Sequence, residues 1–177
     1  MTLAPAPPKT CGTCTLCCKV FKIDALAKPA GVVCSHCANG PGCDIYGSHP
    51  QECRDFICQW LKFEQMPDSY RPDRTKVVLS VEPPGEQLIA RCDPDYPMAW
   101  RNEPIYGFLK RYARGAAGTD LRAYVVAGER LWLITPNEDV DFGQVPSGVP
   151  YTLTEGPDGK LKVTLQPPSP RPEPASD

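Results

Sequence analysis

The sequence has no apolar run of about 18 residues, the least a membrane-spanning helix needs. Its first ten residues also lack the roughly 7-to-15-residue apolar stretch of a secretory signal. The first absence excludes a spanning helix. The second predicts a chain that stays in a reducing, cytoplasmic setting. No G-x-G-x-x-G or Walker-type loop occurs, so no nucleotide site is signalled, and no segment reads as a cradle for S-adenosylmethionine. Charge of either sign is short of excess: the net charge is −2, which gives no field to attract nucleic acid or anionic lipid, and neither is expected as a partner. Histidine is scarce, at two residues. Cysteine is scarce too over most of the chain, where Cys92 stands alone.

The other nine of the ten cysteines fall between residues 11 and 58. Cys11, Cys14, Cys17 and Cys18 form a C-x-x-C-x-x-C-C run; Cys34 and Cys37 form a second C-x-x-C pair; Cys43, Cys53 and Cys58 follow. Packing alone has no preference for such spacing, whereas a tight C-x-x-C turn brings two thiolates to one ion. A disulfide framework fits poorly with a reducing compartment and an odd count. Metal ligation by all nine is therefore the expectation. Cys11, Cys14 and Cys17 match the first three ligands of a ferredoxin-type run, and Cys34 with Cys37 equally matches half of a zinc site. Soft thiolates suit both an iron–sulfur cluster and zinc, and the triplet ranks iron–sulfur first. Cys17 and Cys18, if extended, point to opposite faces and serve different centres or corners. Four ligands fill one site, so nine leave room for two.

Cys11-x2-Cys14-x2-Cys17-Cys18, Cys34-x2-Cys37, Cys43-Asp44-Ile45-Tyr46 and Cys53-Arg54-Asp55-Phe56-Ile57-Cys58-Gln59-Trp60 together resemble the CxxCxxCC cysteine-cluster family, the YkgJ-type zinc- or iron-chelating domain. The resemblance covers about residues 11 to 61. It implies a bacterial cytoplasmic protein with a metal centre on these cysteines, a protein partner being a further possibility. Relatives among flagellin lysine methylases imply an alternative, an enzyme or enzyme subunit that modifies protein side chains. Two positions depart from the pattern: His49-Pro50 replaces a common Arg-Pro, and Cys37 replaces an apolar residue.

The rest of the chain predicts an α+β fold, with the cysteine-rich metal-binding module packed on a small antiparallel sheet under one covering helix. Residues 1–10 read as a disordered Pro/Ala tail, 11–66 as the module, 76–166 as the α+β region and 167–177 as a second disordered tail. Within the module, residues 20–23 suggest a short strand and 25–27 a helical turn. Asn39 to Gly42 suggests a turn, and Ser48 starts a helix running to about Gln65, with Phe56, Trp60 and Phe63 as its apolar stripe. Cys53 and Cys58 lie about 140° apart around such a helix and cannot face one metal from it, so either the helix starts after Cys53 or the two serve different ligand positions. Hairpins are expected at 76–92 around Pro83-Pro84-Gly85, at 121–135 and at 151–165, with a helix over 98–114.

Other polar residues have plainer readings. His36 reads as a turn residue more than a ligand, and His49 as local structure. Cys92 reads as a core thiol. Glu82, Asp93 and Asp95 read as solvated carboxylates, and Lys110, Arg111 and Arg114 as a solvated helix face.

Overall fold

The structure is a computed structural model, and it describes residues 9–37, 42–82, 86–145 and 151–166. Residues 39–41 of the turn expected at 39–42, the loop at 83–85, residues 1–8 of the tail expected at 1–10 and the tail at 167–177 lie outside the described residues.

Three antiparallel connections and one crossover build a five-stranded sheet in the order β1 (Val77–Glu82), β2 (Gln87–Cys92), β3 (Ala123–Ala127), β4 (Arg130–Ile134), β5 (Asp139–Gln144). β2 and β3 pair in parallel, with Leu88 opposite Ala123, so the sheet is mixed where an antiparallel one was expected. The reason is the connection between them. Helix α5 (Ile105–Gly115) lies in it and carries the chain back across the sheet, and only a long connection lets consecutive strands run the same way. Strand β5 was not anticipated. Its acidic, Gly-containing stretch has low strand propensity, and pairing to β4 sets it instead. A separate two-stranded sheet, β6 (Tyr151–Glu155) with β7 (Leu161–Leu165), forms at the expected third hairpin.

α5 buries Ile105, Leu109 and Ala113, spaced by four, against β3 and β4. These residues join Val77, Leu79, Trp100, Trp132 and Ile134 in the main core. Trp100 is fully buried between Trp132 and Tyr106. The basic face expected on α5 is only partly solvated. Lys110 is buried, donating to the Thr135 carbonyl at 2.9 Å and pairing with Asp139 at 2.8 Å.

Among the described residues four short α-helices precede the sheet: α1 (Leu16–Val20), α2 (Gln51–Asp55), α3 (Gln59–Lys62) and α4 (Pro72–Thr75). β1 is an edge strand, and α1, α3 and α4 pack on it. This explains its unbroken apolar run. Val77 and Leu79 face the main core, while Val78 joins Leu16 and Val20 in a second, smaller cluster on the cysteine side. The strand expected near Val20 is helical at that residue, and Ile23 makes an isolated bridge to Lys28. The single helix expected from Ser48 to Gln65 is broken. Phe56 and Cys58, the residues that flank its two halves, are extended, and α3 restarts with Cys58 as its cap. Phe56 turns onto Phe21, at 4.4 Å between ring centroids, so Trp60 is buried while Phe63 and Ile57 are exposed. Among the described residues no helix is long and apolar enough to cross a membrane.

Candidate metal centre

The first loop turns at Cys11, whose carbonyl accepts the Cys14 N–H at 2.9 Å, with Gly12 at φ +51°. Gly42 packs against it so closely that a Cβ there would lie 2.9 Å from the Gly12 carbonyl oxygen; its φ of +103° also calls for glycine. Arg71 ties the loop to the region before the sheet, donating to Thr13 Oγ1 at 3.0 Å and to the Cys11 carbonyl at 3.4 Å.

α1 then presents Cys17 and Cys18 while Leu16 and Val20 anchor it on Val78. The two residues are helical, so the extended-chain expectation of opposite faces does not apply; their sulfurs are 3.9 Å apart. The next loop is strapped alongside α1, with the Cys34 N–H on the Cys18 carbonyl and the Gly31 N–H on the Lys19 carbonyl. A 3-10 turn over Ser35–Cys37 closes with the Cys37 N–H on the Cys34 carbonyl. The Asp44 N–H bonds the His36 carbonyl, which draws Cys43 beside this turn. α2 supplies Cys53 and is fastened by Glu52, whose Oε1 accepts the Ala25 N–H at 2.8 Å.

Cys11, Cys14, Cys17, Cys18, Cys34, Cys37, Cys43, Cys53 and Cys58 all line one cavity of about 470 Å³. Cys92 does not. It is buried in β2, and that burial pushes its thiol up to about 12. None of the ten cysteines is in a disulfide. The cavity falls in the range of about 300–1,000 Å³ typical of ligand pockets, far more than one ion fills. Among the described residues no three Cys, His, Asp or Glu side chains converge on a single point as the ligands of one ion do. The thiols ring a space, and the fit to a metal rests on that lining and on donor chemistry.

Burial favours the protonated form of these thiols. Burial raises the Cys11, Cys53 and Cys58 thiols, and neighbouring thiolates push the same way. Cys37 is raised strongly, first by burial, and Cys18 strongly, first by its hydrogen bond with Cys17. So many thiols cannot ionise together without positive charge among them, and a bound metal replaces their protons. Lys22 lines the cavity, paired with Asp24, and Lys28 stands near Cys34 and Cys18. Lys28 is buried, with Nζ on the carbonyls of Lys19 and Phe21, and its pKa is lowered first by burial against the opposing pull of Cys34 and Cys18.

Both histidines also line the cavity. His36 Nδ1 lies 2.9 Å from Asp44 Oδ1, and His49 Nδ1 accepts the Gly47 N–H while its ring stacks on Tyr46. Sequence reading missed Lys28 and the His36–Asp44 pair. Each depends on a fold-back across a turn that no local pattern marks. Phe21, Leu26, Ile45, Phe56 and Leu61 form an apolar wall. Phe21 is backed by Arg91, itself held by Glu82, so that carboxylate is paired rather than solvated. No family model, curated protein or solved structure matches the chain.

Proposed function

We propose that this is a cytoplasmic metal-binding cysteine-cluster protein that holds an iron–sulfur cluster, or zinc, through cysteine thiolates. The observation that carries the reading is the gathering of all nine clustered cysteines on one cavity, with the tenth excluded. Thiolates from Cys11, Cys14, Cys17, Cys18, Cys34, Cys37, Cys43, Cys53 and Cys58 would be the donors, and such an all-sulfur set suits iron–sulfur clusters and zinc above harder metals. When bound, an iron–sulfur group supplies one-electron chemistry and zinc supplies a rigid charge centre. The chain's own part is to shield the group behind Phe21 and Phe56, balance its charge with Lys28, and fix the loops by their carbonyl bonds.

The test is metal, iron and sulfide analysis of protein purified anaerobically under reducing conditions. Iron with matching sulfide, and broad visible absorption bleached by dithionite, supports the cluster; a colourless zinc-loaded sample supports zinc. Less than about 0.2 metal per chain with freely titrating thiols overturns both, since such sites couple metal to folding.

The apolar wall and the two histidines favour a second reading, an enzyme or enzyme subunit acting on protein side chains beside the metal. An added small ligand such as cyanide or imidazole perturbing the metal's spectrum would mark an open coordination position. An unchanged spectrum would remove this reading.

A further inference from the structure

We propose that the nine thiols divide into two separate metal centres, one on Cys11, Cys14, Cys17 and Cys58, the other drawn from Cys18, Cys34, Cys37, Cys43 and Cys53. This rests on the metal-binding reading above and goes beyond it by assigning ligands.

The boundary runs between Cys17 and Cys18. At 3.9 Å their sulfurs are close enough to share an ion, but their surroundings separate them. Successive helical residues point about 100° apart. Cys17 packs with Cys14 and Cys58 against the Leu16–Val20–Val78 cluster. Cys18 belongs to the opposite loop by its backbone, its carbonyl bonded to the Cys34 N–H, while its thiol lies between Cys17 and Cys37.

The two sets are also built by different connections. The first is a turn closed at Cys11 and fastened by Arg71 near the sheet, completed by Cys58 at the start of α3. The second is a continuous hydrogen-bonded path from Cys18 to Cys34, Cys37 and the Asp44 backbone, with α2 bringing Cys53. The first set supplies four thiolates in a C-x2-C-x2-C plus remote Cys arrangement, the donor pattern of a cubane cluster. The second supplies five thiolates for a second soft-metal centre, iron–sulfur or zinc.

The experiment compares bound metal in the full chain with Cys14→Ser, Cys58→Ser, Cys34→Ser and Cys53→Ser, singly and in combination. Cys14→Ser or Cys58→Ser should empty the first centre and leave the second loaded, and the two together should remove no more than either alone; Cys34 with Cys53 should empty only the second, and Cys14 combined with that pair nearly all. A single change emptying the protein has two causes, one shared centre or collapse of the module, and titration of reduced, metal-free wild type with Co²⁺ separates them. Thiolate-to-cobalt absorption saturating near about two equivalents in two phases upholds the division, while one phase ending near about one equivalent overturns it. Metal bound as one centre sinks only the division. No binding of iron, zinc or cobalt sinks the metal-binding reading itself.

Discussion

Lys19 Nζ stands 2.6 Å from Asp93 Oδ1, tying the residue after Cys18 to the residue after Cys92. It also reaches Asp95 at 2.6 Å, so one ammonium joins helix α1 to the end of β2. Asp93 is buried, not solvated as its sequence context suggests, and Lys19 is its charge partner. Lys19→Met should cost about 1.5–3 kcal/mol, the range for losing hydrogen bonds between charged groups. Asp93→Asn in the same chain should recover part of that loss, because no buried carboxylate is then left unpaired. Urea unfolding followed by tryptophan fluorescence measures both. A change within about 0.5 kcal/mol for Lys19→Met would show the tie to be incidental.

Cys92 is the internal control for the nine. Its side chain is 3% exposed among the core residues of the sheet, away from the cavity. Cys92→Ser buries a hydroxyl in an apolar site and should cost about 1–3 kcal/mol. Metal per chain should equal that of wild type. A parallel loss of metal would make Cys92 part of the centre and refute its exclusion.

C-x-x-C spacing singles out Cys11, Cys14, Cys17, Cys34 and Cys37 without tertiary information, because each such turn is a local device; Cys43, Cys53 and Cys58 lie in no such turn and reach the same cavity through packing. What stayed hidden depends on packing. The helix through Cys53 and Cys58 looked continuous because Phe56, Trp60 and Phe63 keep helical period. The chain breaks there when Phe56 is drawn to Phe21 and Cys58 to the cavity. The parallel β2–β3 pair was missed since strand patterns carry no direction. Lys110 and Asp93 looked solvated because a charged residue's burial is decided by its partner, Asp139 or Lys19.

Arg130 grips Asp141 across β4 and β5, at 2.5 Å from Nη2 to Oδ2 and 3.2 Å from Nε to Oδ1. That hydrogen bonding holds the Asp141 carboxyl below its ordinary value. A lowered folded-state pKa stabilises above the unfolded value, near about 4, and the contribution is lost as pH falls through the folded one. Asp141→Asn should therefore lower the urea midpoint slightly at neutral pH and leave it unchanged near pH ~2. The pair is at the surface, so added salt should shrink the neutral-pH difference. An equal difference at both pH values would assign the effect to something other than charge.

Removing the metal should unfold residues 11–61 while leaving much of 77–134 protected. The reason is unequal burial. The sheet and α5 share a core that includes Trp100, Trp132, Leu109 and Ile134, whereas the cysteine side owns a cluster of Leu16, Val20 and Val78, and Val78 belongs to the sheet. Its helices are one turn or little more, too short to hold without tertiary support. Ligands that do not converge in the unfolded chain make metal-binding free energy part of this segment's folding free energy. Two ties oppose complete separation. Lys19 binds Asp93, and α3 packs on β1, so α3 is the part of the segment that should persist longest. Hydrogen exchange on chelator-treated protein, and on Cys14→Ser, reads this directly. Amides at 11–58 should exchange fast, those of β2, β3 and α5 should stay slow, and α3 should lie between. If protection falls evenly through the sheet as well, the thiol segment and the sheet form one cooperative unit, and the small Val78 cluster carries far more of the stability than its size implies.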